Sequence, residues 1–204
     1  MNTLKSGARA RLAVALALAL VACGPRAEKA EEFPVVEAPN YEAGISAEGA
    51  AGITAALAMN VEAIRAAAPN YVVAAVEDQI EGQPFTAITL SAGDEEVFRV
   101  LPTADGAHIH AIVTRSSQAR GPTQDIVGQT LFGVAPPEQV PFCLAESVDG
   151  APGFACSTDA AGRFWRVYKL PDAYDGPSGE FGEIEPDVLH DATLAEMRWI
   201  APRV

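Results

Sequence analysis

Apolar and polar residues alternate through most of the chain beyond residue 70, and the alternation predicts strands. Tyr71 to Val76 is β-branched and aromatic. In Phe85 to Leu90, Phe85, Ala87 and Thr89 fall opposite Thr86, Ile88 and Leu90. Val97 to Leu101 follows the turn formers Gly93-Asp94. Asp105-Gly106 then separates it from a run in which Ile109, Ala111 and Val113 alternate with His108, His110 and Ile112. Side chains two apart share one face of a strand, so these runs predict a meander of four short strands. Upstream, Leu57, Val61, Ile64 and Ala68 recur at helical spacing. Asn60 suits an N-cap and Pro69 ends the run, so a short helix is predicted over Val61 to Ala68, with Thr54 as an alternative, earlier cap.

The second half repeats this order. Gly128-Gln129-Thr130 echoes Gly52-Ile53-Thr54, ahead of a stretch compatible with a short helix. Pro141 to Ala145 and Phe154 to Ser157 are strand candidates. Arg163 to Leu170 echoes Glu96 to Leu101 through Trp165-Arg166-Val167-Tyr168 and Phe98-Arg99-Val100-Leu101, and Thr193 to Ile200 closes the chain as Ile109 to Arg115 closes the first half. The expected fold class is α+β: an antiparallel β-meander with one or two short helices. Residues 45–120 and 121–204 are candidates for two repeated αββββ halves. Few positions are identical, so duplication and chance likeness both stay open. Pro171 to Asp191 breaks the pattern. It is rich in Gly and Pro and carries Asp172, Asp175, Glu180, Glu183, Glu185, Asp187 and Asp191, which reads as a long loop. Phe164, Trp165, Tyr168 and Trp199 are expected in the core.

The N-terminus has a different pattern. Lys5, Arg9 and Arg11 precede an apolar run, Leu12 to Val21, that is too short to span a bilayer and of the length of a signal peptide. The run ends Leu20-Val21-Ala22-Cys23. An ordinary secretory signal needs no thiol there, whereas the lipobox of bacterial lipoproteins, which this segment resembles, does. The resemblance implies cleavage before Cys23, a diacylglyceryl group on its sulfur and a further acyl chain, such as palmitate, on the new amine. Several chains anchor a protein stably, at about 0.8 kcal/mol per buried CH2. Gly24, rather than Asp, follows Cys23, which implies the periplasmic face of the outer membrane. Residues 1–22 are thus expected as a signal peptide, 23–44 as an acidic flexible tether, and 45–204 as a single globular domain.

Composition narrows the partners. The chain has 204 residues and a formal charge of −13, which becomes −16 once the three basic residues of the signal are removed. So acidic a chain repels phosphate backbones and anionic headgroups, which excludes nucleic-acid binding and attachment through a basic patch. With Cys23 acylated, Cys143 and Cys156 remain. In an oxidising compartment two cysteines 13 apart, with Asp149-Gly150 and Pro152-Gly153 between them, predict a disulfide across a hairpin or loop.

Gly52-Ile53-Thr54, Ala68-Pro69-Asn70-Tyr71, Thr114-Arg115-Ser116, Val127-Gly128 and the paired Cys143 and Cys156 together resemble a family of bacterial sigma-E-regulated lipoproteins of unknown biochemical function. The resemblance spans most of residues 45–170. It implies an α+β envelope domain in a stress or assembly context, and it transfers no catalytic residue.

Candidate chemistry is sparse. His108 and His110 share a strand face and, with a carboxylate from residues 171–191, would make a metal site, but two ligands define none. His190-Asp191 is an acid–base pair only if the side chains meet, which neighbours on a strand do not. Ser116 and Ser117 lie beside Arg115 and Arg120 in the one basic spot of an acidic chain, without a GxSxG elbow or SxxK. This spot is the candidate binding site, in which Arg115 or Arg120 would clasp a carboxylate or simply pair with surface acids. No DxDxDG calcium loop occurs. No cofactor or metal is implied. The favoured reading is a membrane-tethered binding or envelope-maintenance module without catalysis, anchored to the bilayer through acylated Cys23 and partnered by an envelope protein. The alternatives are a small-ligand or inhibitor-like cleft protein and a serine hydrolase using Ser116 or Ser117 with His108, His110 or His190.

Overall fold

The structure is a computed structural model that describes residues 43–80, 82–133, 142–158, 161–174, 176 and 181–203. The signal segment, Cys23 and nearly all of the expected tether lie outside the described residues. Ala43 is buried, and Gly44 bridges to Arg120.

Two short strands, β1 (Ile45–Ser46) and β2 (Gly49–Ala50), pair with each other. The helix α1 (Val61–Ala67) follows, starting where Asn60 Oδ1 accepts the Ala63 N–H at 2.9 Å. Asn60 is therefore the cap and Thr54 is not. Four strands follow in a meander: β3 (Val72–Ile80), β4 (Gln83–Ala92), β5 (Glu95–Pro102) and β6 (Ile109–Thr114). A second meander comprises β7 (Phe142–Val148), β8 (Ala151–Ser157), β9 (Phe164–Lys169) and β10 (Thr193–Ile200). All eight form one antiparallel sheet in the order β3-β4-β5-β6-β10-β9-β8-β7. The fold is thus α+β and built on meanders, as the alternation predicts. The two meanders meet at their last strands, Thr114 opposite Met197 and Ile112 opposite Trp199. A twofold axis normal to the sheet at that seam would generate this order.

The aromatic-Arg-Val echo does not follow that symmetry. Arg99 stands across β6 from Val113, which faces Arg198, which faces Trp165. Arg99 and Trp165 therefore share one face of the sheet, and Arg166 points to the other. Trp165 lies half-buried outside the main core, against the expectation, while Phe164, Tyr168 and Trp199 are inside it.

One face of the sheet is covered. Leu90, Phe98, Ile112, Met197, Trp199, Tyr168 and Phe154 are fully buried there, beneath Ile45, Ile53 and Ile64 from β1, the following turn and α1. The Trp199 indole donates to the Ala47 carbonyl at 3.0 Å. Residues 128–133 form turns and a bridge rather than the expected helix, and any helix over 134–141 would lie outside the described residues. Phe132 meets Phe154, Tyr168 and Phe181 edge-on. Such pairs contribute about 0.5–1.5 kcal/mol each beyond their buried area. Phe181 opens a 3-10 turn, Phe181–Glu183, followed by the helix α2 (Pro186–His190). The acidic segment expected as a loop is therefore partly helical, and Phe181, Ile184, Val188 and Leu189 pack on the core. Arg166 points into this covered layer, where Asp125 accepts from its Nε at 3.0 Å and its Nη2 at 2.8 Å.

The disulfide joins Cys143 to Cys156, directly opposite on β7 and β8 with Cα atoms 4.2 Å apart. Asp149 (φ 52°) and Gly150 (φ 81°) make the two-residue turn between these strands. Left-handed backbone at both positions is the turn that suits the twist of a hairpin.

Candidate functional site

The opposite face of the sheet is open: no described element packs across it. Strand parity assigns its residues. From β3 come Val72, Asp78 and Ile80, from β5 Arg99 and Leu101, from β6 Val113, from β10 Glu196 and Arg198, and from β9 Trp165 and Val167. Phe142, Leu144 and Glu146 of β7 complete it. The large apolar side chains most exposed among the described residues are Val72 (67%), Ile80 (60%), Phe142 (51%) and Leu144 (49%). All four lie on this face, at its two margins. Phe142 meets Trp165 edge-on, with ring centroids 5.7 Å apart, and Trp165 with Val148, Ala155 and Val167 makes a small second core there.

Charge fills the middle. The Glu196 side chain, only 4% exposed, sits at the seam and accepts from Arg115 Nε at 2.7 Å and from Arg198 Nε. Arg115 also reaches Asp149 at 2.8 Å, and Arg198 holds Glu146. Arg99 donates to Glu96 through Nε at 2.8 Å and Nη2 at 2.9 Å, and to Asp78. These partners raise the Arg99 and Arg115 pKa values, through the Glu96 and Glu196 hydrogen bonds respectively. Asp78 is held below its ordinary carboxyl range by the Gln79 N–H, and next by Arg99. Glu95 is held low by the Ser116 hydroxyl, and next by the Gln118 amide. Three guanidiniums thus pair with five carboxylates, those of Asp78, Glu96, Glu146, Asp149 and Glu196, and Glu95, held by Ser116 and Gln118, adds a sixth acid. Between β3 and β10 the three arginines line a depression of about 860 Å³ with Asp78, Glu95, Glu96 and Glu196, while Glu146 and Asp149 lie outside it.

The residues singled out from sequence divide. Arg115 belongs to this face. Arg120 does not. Its guanidinium donates to the Ser117 carbonyl at 2.6 Å and the Ala119 carbonyl at 2.9 Å, and it borders a separate depression with residues 44–54. The two arginines therefore form no common clasp. Ser116 is buried and donates to Glu95, while Ser117 is exposed. No hydrogen bond joins either serine to a histidine among the described residues, so the hydrolase arrangement has no geometry there. His108 and His110 are exposed, and no cluster of three metal-binding side chains occurs among the described residues. His190 and Asp191 end α2 rather than lying on a strand, and their side chains do meet, Nδ1 to Oδ1 at 2.9 Å, with both groups well exposed. No described helix is long and apolar enough to cross a membrane. Of the described open-face network, Arg115 and Ser116 were singled out from sequence. The partners of Arg115 lie 34 and 81 residues away, at Asp149 and Glu196.

The fold is similar to that of the uncharacterized protein YfeY from Escherichia coli, known from a crystal structure. The TM-score is 0.58 at 18% identity, covering 77% of this chain and 99% of that one. At this identity the likeness concerns the fold alone. No family model matches the chain, and a search of curated proteins finds no match.

Proposed function

We propose that the chain is a lipid-anchored binding module of the bacterial envelope, acting through the open face of its sheet rather than by catalysis. The carrying observation is that face itself: apolar margins on both edge strands around a centre whose carboxylates outnumber its guanidiniums. Phe142 and Leu144 make one exposed apolar margin and Val72 and Ile80 another, and exposed apolar side chains rimmed by polar groups mark interaction sites. Each arginine is already held by acid, so a small carboxylate ligand would have to displace Asp78, Glu146 or Glu196. A protein surface that is apolar with a basic rim needs no such exchange and complements the acidic excess, which extends to the whole chain at −13. The lipobox ending at Cys23 supports acylation of that residue and a place on the periplasmic side of the outer membrane. Cross-linking full-length protein in native membranes, then recovering it, tests the reading. One envelope protein should be enriched, and enrichment should fall as salt is added. Recovery of unrelated lipoproteins only would count against it.

The depression between β3 and β10 favours a second reading, a small-ligand cleft. Its volume of about 860 Å³ lies within the range of ligand pockets. That reading requires a small molecule to be released when the purified protein is denatured, and mass spectrometry of the released fraction decides it.

A further inference from the structure

The two outer strands of the sheet are not equivalent. In a two-residue hairpin the closing residues bond to each other, and bonding to the partner strand then alternates. Ile80 and Gln83 close the β3–β4 hairpin, so Val73, Ala75, Glu77 and Gln79 turn their N–H and C=O groups outward. This edge is obstructed. The Arg65 guanidinium donates to the Val73 carbonyl at 3.2 Å, and Asp78 Oδ1 accepts the Gln79 N–H at 2.8 Å. Glu77 and Asp78 add negative charge beside it. Such devices keep an edge from pairing with another strand.

At the other edge, Val148 and Ala151 close the β7–β8 hairpin. Cys143, Ala145 and Ser147 therefore turn outward, and the close approach of the Cys143 and Cys156 Cα atoms, 4.2 Å, is that of a pair without mutual bonds. No hydrogen bond reaches the outward backbone groups of these three residues from any described residue. The strand has one charge, Glu146, which Arg198 holds. Phe142 and Leu144, about half exposed, border this edge.

We infer that the β7 edge pairs antiparallel with β7 of a second copy of this chain, centred on Ala145, extending the sheet across a twofold axis. This register pairs every free group. Cys143 meets the partner's Ser147, and Ala145 meets the partner's Ala145. On the open face Phe142 lies against the partner's Val148, and Leu144 against the carbon stem of the partner's Glu146, at positions where opposed side chains come closest. The local neutrality of β7 lets two acidic chains approach here, whereas β3, with Glu77 and Asp78, repels its own kind. Acylation at Cys23 would hold both copies on one surface and raise their effective concentration.

The pairing takes up the β7 margin of the open face and leaves its charged centre and β3 margin uncovered, and the two contacts respond oppositely to salt. Screening strengthens contact between two acidic chains and weakens contact with a basic partner. Sedimentation velocity of the full chain in excess mild detergent, at about 50 and 500 mM salt, measures the pairing. The expected result is a dimer whose fraction rises with salt. Ala145→Pro removes an N–H that points away from β8, so the hairpin keeps its ladder. Two intermolecular bonds are lost, and the dissociation constant should rise about 30-fold. Phe142→Asp, an exposed change beside the partner's Asp149, should weaken the dimer without touching the backbone. A monomer at both salts, or a dimer that survives both substitutions, would overturn the inference. Capture of a foreign strand by an otherwise monomeric chain would overturn it too.

Discussion

Replacing Asp125 by Ala should be among the most damaging single changes in this protein. Asp125 is 1% exposed and its partner Arg166 only 11%. Asp125 Oδ2 takes two N–H groups of Arg166, and Thr123 also donates to the carboxylate. Arg166 lies over the Phe164 ring, 4.8 Å from its centre, within the covered layer. Losing the carboxylate leaves a guanidinium buried with the Thr123 hydroxyl as its remaining described polar partner. Breaking one side of a buried pair costs about 3–5 kcal/mol, which for a domain of this size lowers Tm by about 10 °C. Urea unfolding followed by tryptophan fluorescence measures the loss. The double change Asp125→Ala, Arg166→Met removes both charges and keeps much of the apolar stem, so it should recover most of that loss. A single-variant loss below about 1 kcal/mol, or a double variant no better than the single, would show that burial of the unpaired guanidinium is not the cost.

Other expectations follow from the same contacts. Reducing Cys143–Cys156, or replacing both by Ser, opens a loop of sequence separation 13 and should cost about 3 kcal/mol in a urea titration. A negligible change would mean that the hairpin is fixed by its ladder alone. The Asp78 carboxyl is held below its ordinary value of 3.8 by the Gln79 N–H and by Arg99. Its stabilising effect is therefore complete above that value and fades as pH falls through the lower, folded pKa. The stability gap between wild type and Asp78→Asn should be present at neutral pH and close in acid; a gap that does not vary with pH would contradict this.

The strands were legible because their apolar residues alternate, and Thr193 to Ile200 is β10 itself. The helix cap at Asn60 and the cysteine pair were equally plain. β1 and β2 were not, since two residues each in a Gly- and Ala-rich stretch carry no period. The helix α2 lies in an acidic, proline-rich segment that reads as loop, although Pro186 at its first turn followed by Asp187 is a recognised start. Aromatic character alone puts Trp165 in the core, whereas strand parity does not. Once Phe164 and Tyr168 face inward, strand geometry sends Trp165 outward and Arg166 inward, and a buried arginine then demands an acid such as Asp125. The open-face network needs the strand order itself. Glu196 meets Arg115 only because β10 pairs with β6, a contact across 81 residues that local pattern does not encode.

The central claim is that this protein works through the open face of its sheet. A photoreactive amino acid placed at Leu101 or Val113, both half-buried there, tests it against one at Glu62, exposed on α1. In native membranes the two open-face positions should give the same protein adduct, with a yield that falls between about 50 and 500 mM salt, and Glu62 should give none. An adduct from Glu62 alone, or none from Leu101 and Val113, would contradict the claim.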